Sequence, residues 1–134
     1  MASGLRRVIR QAVLDHLLKT AGWTAPTHIY VGLFTVAPTQ TAGGTEVSEA
    51  SYARVLHDTW NAATAAEPAV ATNDGDIEFA QALTDWGSIV AFGLFDDITG
   101  GNLLAYGACT KTIATGDTAR FLDTALEVKL NYTV

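Results

Sequence analysis

Three histidines and fourteen carboxylates carry most of the reactive chemistry available to this 134-residue chain, and their spacing decides its use. His57 and Asp58 are neighbours, so on a strand they point to opposite faces and do not form a base with its orienting acid. His16 falls on the apolar side of a helical pattern and reads as a core or boundary histidine, and His28 opens a strand alone. With Cys109 as the single cysteine, these positions give no zinc-ligand spacing. "NDGDIE" (73–78) has the alternating acids of a calcium loop. Phe79 then stands where that loop needs glycine and Asp85 where it needs a closing glutamate, so a turn entering a strand is expected instead. Asp96-Asp97 with Glu78 offers carboxylates for glycoside hydrolysis, a chemistry that depends on a separation set by the fold. Trp23, Trp60 and Trp86 suit a carbohydrate-binding platform, although tryptophans of a small β domain more often serve core or interface. The chain has no G-x-S-x-G, G-x-G-x-x-G or G-K-[ST] motif. A non-enzymatic protein without cofactor or metal is the expectation.

The elements that must hold these residues fall into two kinds. Leu5, Val8, Ile9, Ala12, Val13, His16 and Leu17 recur at helical spacing, with Ser3 as N-cap and Ala21-Gly22 as stop. From His28 onward the pattern is β. "HIYVGLFTV" runs to Pro38, "SYARVLHDTW" alternates, "DIEFA" follows Asn73-Asp74-Gly75, and "GSIVAFGLF" joins "NLLAYGACT" through Asp96–Gly101. A short strand near "TARFL" comes next. In the last one Leu126, Val128, Leu130 and Tyr132 alternate with polar residues. Gly93 marks a bulge or close approach within its strand, and Gly100-Gly101 supply the positive φ of a tight hairpin. Residues 37–51 form a long loop, and 61–72 fit helix, edge strand or loop alike. The chain, 1–134, reads as one domain, with a helix in 1–22 and a mainly β, antiparallel sandwich of seven or eight strands over 28–134. The expected core is Ile29, Val31, Leu33, Ile89, Phe92, Leu94, Leu104, Phe121, Leu126, Val128 and Leu130, although both faces of 89–95 are apolar.

Composition supports one folded core: 49% of residues are hydrophobic and only 16% charged, against about 25% in ordinary domains. No apolar run reaches the ~18 residues of a membrane helix. The basic, then apolar N-terminus is interrupted by Gln11, Asp15 and His16, with no A-x-A site following, so it reads as part of the fold. A lone cysteine suits folding in a reducing cytoplasm. Charge is divided unequally. Residues 1–20 carry four basic groups and one acid, for +3, while the remainder carries four basic groups and thirteen acids, for −9. An acidic body speaks against general nucleic-acid binding.

The N-terminal helix, "HIYVGLFTVAPT", "GGTEVSEASYARV", "WGSIVAFGLFDDITGGNLLAYG" and "GDTARFLDTALEVKL" occur in this order. Together they resemble a family of small tailed-bacteriophage virion proteins, whose members are labelled tail fibre proteins or capsid decoration (cement) proteins. The resemblance spans about residues 5–132. It implies a jelly-roll sandwich on the outer capsid surface of the virion, made in the host bacterial cytoplasm. There it would bridge neighbouring major capsid protein subunits as a dimer or trimer. A tail or tail-fibre structural role, or a carbohydrate-binding module, is the alternative. Members tend to carry glycine before the final strand, where this chain has Asp123-Thr124-Ala125. The compact chain without internal repeats favours decoration. On that reading Arg6, Arg7 and Arg10 contact acidic groups of the capsid protein or a neighbouring copy, and Trp23 supplies an apolar anchor.

Overall fold

The computed structural model describes residues 4–130. Ten strands and one helix follow in order: β1 (Gly4–Leu5), α1 (Arg7–Leu17), β2 (Tyr30–Val36), β3 (Thr45–Glu46), β4 (Val55–Leu56), β5 (Ala69–Thr72), β6 (Ile77–Glu78), β7 (Gly87–Phe95), β8 (Leu103–Ile113), β9 (Arg120–Phe121) and β10 (Glu127–Leu130). All pairings are antiparallel. The large sheet runs β1-β8-β7-β2-β3, with β4 also on β2; β10 pairs with β5 and β6 with β9. Among the described residues the chain is therefore mainly β with a single helix, as expected. A jelly roll is compatible with these ladders, which do not by themselves complete one.

Alternation explains the inner face of the large sheet. Val31 and Leu33 of β2 and Leu94 of β7 join Ile77, Phe79, Phe121 and Leu126 in one core, closed by the two small ladders. The ambiguity of 89–95 is resolved by a bulge between Ile89 and Ala91, which shifts the pairing with β8. An extra residue in one strand changes which side chains face inward. Ile89, Phe92 and Leu94 thus all reach the core despite their uneven spacing. Ile29 and Val128 pack against that core half-buried, and Leu104 is buried. Leu130 departs from the expected core. Burial fades along the last strand, from Leu126 through Val128 to an exposed Leu130, where β10, hydrogen-bonded to β5 alone among the described strands, runs past the core. Tyr132 lies outside the described residues.

A second cluster occupies the outer face, where Phe34 and Phe95 stack at 5.9 Å with Ala91 beneath. Gly32 and Gly93 face each other across β2 and β7. A Cβ on Gly93 would meet Phe34 Cε2 at 2.5 Å, so the glycine makes room for a ring. The Arg54 guanidinium covers this pair, 3.4 Å above the Phe95 ring. Its Nε and Nη2 each donate to the Glu46 carboxylate at 2.8 Å, and Nη1 donates to the Asp97 and Gly100 carbonyls. Tyr52 donates to Glu46 at 2.6 Å while accepting from Leu33 N–H. Burial, with that bond to Glu46, holds the Tyr52 phenol well above its usual range. These side-chain bonds explain why "SYARVLHDTW" is not a ten-residue strand. Only Val55–Leu56 pairs with β2, because Tyr52 and Arg54 satisfy the sheet with side chains instead of backbone.

The hairpin between β7 and β8 turns as anticipated, with Gly100 and Gly101 at φ 61° and 67°. Asp96 accepts from both the backbone and the amide side chain of Asn102. Of residues 61–72, the last four form β5. The turn Asp123-Thr124-Ala125 places Thr124 at φ 65°, a left-handed conformation that favours glycine.

Candidate interaction surface

The helix is where sequence and structure differ most. It begins at Arg7, after β1 has paired with β8 through Gly4–Tyr106 and Leu5–Ala105; Ser3, the expected N-cap, lies outside the described residues. Arg6 caps through its carbonyl, which accepts from Ile9 and Arg10. The helix stops before Ala21-Gly22, because Lys19 takes φ 63° and its N–H donates to the His16 carbonyl. That is the position usually given to glycine past a helix C-terminus.

The arginines divide by task. Arg6 Nη1 donates to the Thr39 and Ala42 carbonyls. Their loop is closed on itself by Thr39, whose hydroxyl accepts from Thr41 and Ala42 N–H. Gly44 permits the loop's return, since a Cβ there would meet the Val36 carbonyl at 2.5 Å. Arg10 Nη2 donates to Gln40 Oε1 at 2.6 Å. These two arginines fasten the start of the helix to its own body. Arg7 is left outward, beside a shallow concavity of about 380 Å³ shared with Pro38, Gln40 and Tyr106.

Burial shows what the fastening leaves outside. Of the α1 residues only Ile9 is buried. Val8, Val13 and Leu14 are exposed, with Leu17 at 71% and Leu18, just past the last turn, at 64%. At 100° per residue Leu14 and Leu18 share the outward stripe with Arg7 and Leu17 lies beside it, while Val13 lies nearer the buried Ile9. An amphipathic helix ordinarily lays its apolar surface on the core. Here that apolar surface faces solvent. His16, expected at a core boundary, is also exposed; its Nδ1 accepts from Trp23 N–H, which folds the chain back after the helix. Trp23 is half-buried there.

The other candidates resolve into scaffold. Trp86 is buried among the rings of Tyr52 and Phe79, Trp60 donates to the His57 carbonyl against the core, and Trp23 stands by the helix, so they are not one platform. In 73–78 the buried Asn73 accepts from Leu126 N–H and donates to the Gly75 and Leu122 carbonyls, the pin of a turn entering β6. Asp76 accepts from Asp123 N–H and pairs with Arg120, and both bonds hold its carboxyl below the usual range.

One pair was missed. His28 is not alone: its Nδ1 lies 2.7 Å from Asp58 Oδ2, and Asp58 Oδ1 accepts from Ile29 N–H. The bond to His28, then that to Ile29, holds Asp58 below the usual carboxylate range. The register Tyr30–Leu56, continued by two residues, puts 28 opposite 58. Recognising 28–36 and 51–60 as partners was the signal available. Both side chains are exposed, and the pair closes the open end of β4 on β2.

No curated protein matches this sequence. The family model described as Podophage GP4 fiber I protein gp80 matches residues 4–129, from the first described strand to the last. With the mainly β body and its N-terminal helix, that match establishes that the chain belongs to the podophage GP4 fiber I protein gp80 family, a group of small tailed-phage virion proteins.

Proposed function

We propose that this protein is a structural subunit of a phage fibre, acting by assembly and without a catalytic step or cofactor. The observation that carries the reading is the outward apolar stretch of the helix, where Leu14, Leu17 and Leu18 stand exposed within two turns. Exposed apolar patches of this kind mark interaction sites. The family description names a fibre, which supports the tail-fibre alternative over docking on the major capsid protein. The acidic body makes nucleic acid an unsuitable partner, and the apolar helix surface instead fits another protein of the particle. Arg7 and the exposed leucines replace the full set of Arg6, Arg7, Arg10 and Trp23 as the groups offered for contact, since Arg6 and Arg10 are engaged within the chain.

An electron-microscopy map of the intact particle tests this. Density for the β body within a fibre is the expected result. The same density seated over major capsid subunits would overturn the fibre assignment and restore the cement role.

A further inference from the structure

The strongest unabsorbed feature is the outward stripe of α1, where Leu14 and Leu17, with Leu18 just past its end, stand exposed near Arg7. Charge decides what covers it. The first twenty residues carry +3, and neither Arg7 nor Lys19 has an ion pair or side-chain hydrogen bond among the described residues. The rest of the same chain carries −9. Packing two such helices together would oppose +3 to +3, whereas laying one on a neighbour's body opposes +3 to −9. Complementary charge of this kind orients and speeds docking, while apolar contact holds it.

Area decides how many such contacts are needed. An eleven-residue helix is about 16 Å long. One face of it falls short of the roughly 800 Å² per partner of a stable complex. A copy that both gives its arm and receives one doubles the contact.

We propose that α1 is an assembly arm whose outward apolar stripe docks on the acidic β body of a second copy of this chain, each copy giving one arm and receiving one. The inference rests on the assembly role above but not on where in the particle the chain sits. Failure in solution is therefore distinguishable from failure of the particle map.

The test is sedimentation of the full chain beside a Leu14→Asp, Leu17→Asp, Leu18→Asp variant, alone and mixed. All three positions are exposed, and an unchanged circular-dichroism melt of the dilute variant checks that it folds. The native chain is expected to self-associate, and the variant to do so about 100-fold more weakly or not at all. Mixed at concentrations well above those at which the native chain associates, the variant receives a native arm through one contact instead of two, so a fluorescent variant sediments with unlabelled native chain, but more weakly than a fluorescent native chain does. A native chain that stays monomeric at high concentration would overturn the proposal and assign the stripe to a different virion protein. Equal self-association of the variant would overturn it by placing the interface elsewhere. Self-association of the native chain without mixed species would overturn it in favour of helix-on-helix packing. A variant that melts early would be replaced by the Arg7→Glu, Lys19→Glu variant. That change must weaken mixed association at low salt, and unchanged association would contradict the arm-on-body contact.

Discussion

Two regions of this protein treat their difficult groups in opposite ways. Beside β2, Arg54 over the outer cluster, Glu46, and Tyr52 with its ring in the main core bring two charges and a phenol into partial burial, and their main hydrogen-bonding groups find partners inside the chain. On the arm, apolar side chains that ought to be buried stay outside, and only the first turn is tied down. The body closes a core as a single copy, although Val36, Leu83 and Leu122 are exposed on it, whereas the arm buries only Ile9. On the proposed reading, a helix that leaves most of its apolar side chains outside is where assembly acts.

The comparison breaks first if the body is not held as described. Arg54→Ala removes the partner of Glu46 and leaves the Asp97 and Gly100 carbonyls without their donor. Breaking a buried pair costs about 3–5 kcal/mol, and the partial exposure of Glu46 places the expected loss near the lower end of that range. Urea unfolding measures it, and a loss under about 1 kcal/mol would return the pair to the class of surface salt bridges. Gly93→Ala should follow at about 1–3 kcal/mol, because its Cβ would meet the Phe34 ring at 2.5 Å. A melt like the parent's would show that the outer cluster yields easily.

The comparison sharpens at the turn before β10. Thr124 holds φ 65°, and a β-branched residue is strained there. Thr124→Gly is expected to stabilise by about 1 kcal/mol, with the Thr124 N–H still donating to the Asn73 carbonyl. Thermal denaturation decides it, and a destabilised variant would show that the threonine relieves its strain by other contacts.

A smaller effect concerns acid. Asp58, Asp76, Asp85 and Asp96 are held below the usual carboxylate range by bonds from His28, Asp123 N–H, Thr115 N–H and Asn102 N–H respectively. A folded pKa below the unfolded one stabilises above the ordinary carboxylate pKa of about 4 and is lost as pH falls through the folded values. The melting temperature of the body should therefore decline as pH drops below about 4. A flat midpoint through that window would contradict these bonds.

Much of the body was legible from alternation alone, because a residue's neighbours two positions away reveal a half-wet strand. Val31, Leu33 and Leu126 fell where period two put them. What escaped was non-local. The bulge at Ile89–Ala91 depends on pairing with β8, and the His28–Asp58 pair depends on the register of β4 with β2. Arg54 read as one more alternating residue, since nothing local shows that it will cover Phe95. The helix was legible as a helix, but of its apolar side only His16 was given a place, in the core or at its boundary, and His16 is exposed. Periodicity reports that a face wants burial and cannot say which copy supplies the cover.

Hydrogen exchange followed against protein concentration tests that division most directly. An isolated eleven-residue helix is marginal in water, so α1 needs its cover. Amides in the last two turns of α1 are predicted to exchange rapidly in dilute protein and to gain protection as concentration rises. Those of β2, β7 and β8 should remain protected throughout. Arm amides as protected in dilute solution as those of β7 would contradict the account, because the arm would then be complete within a single copy.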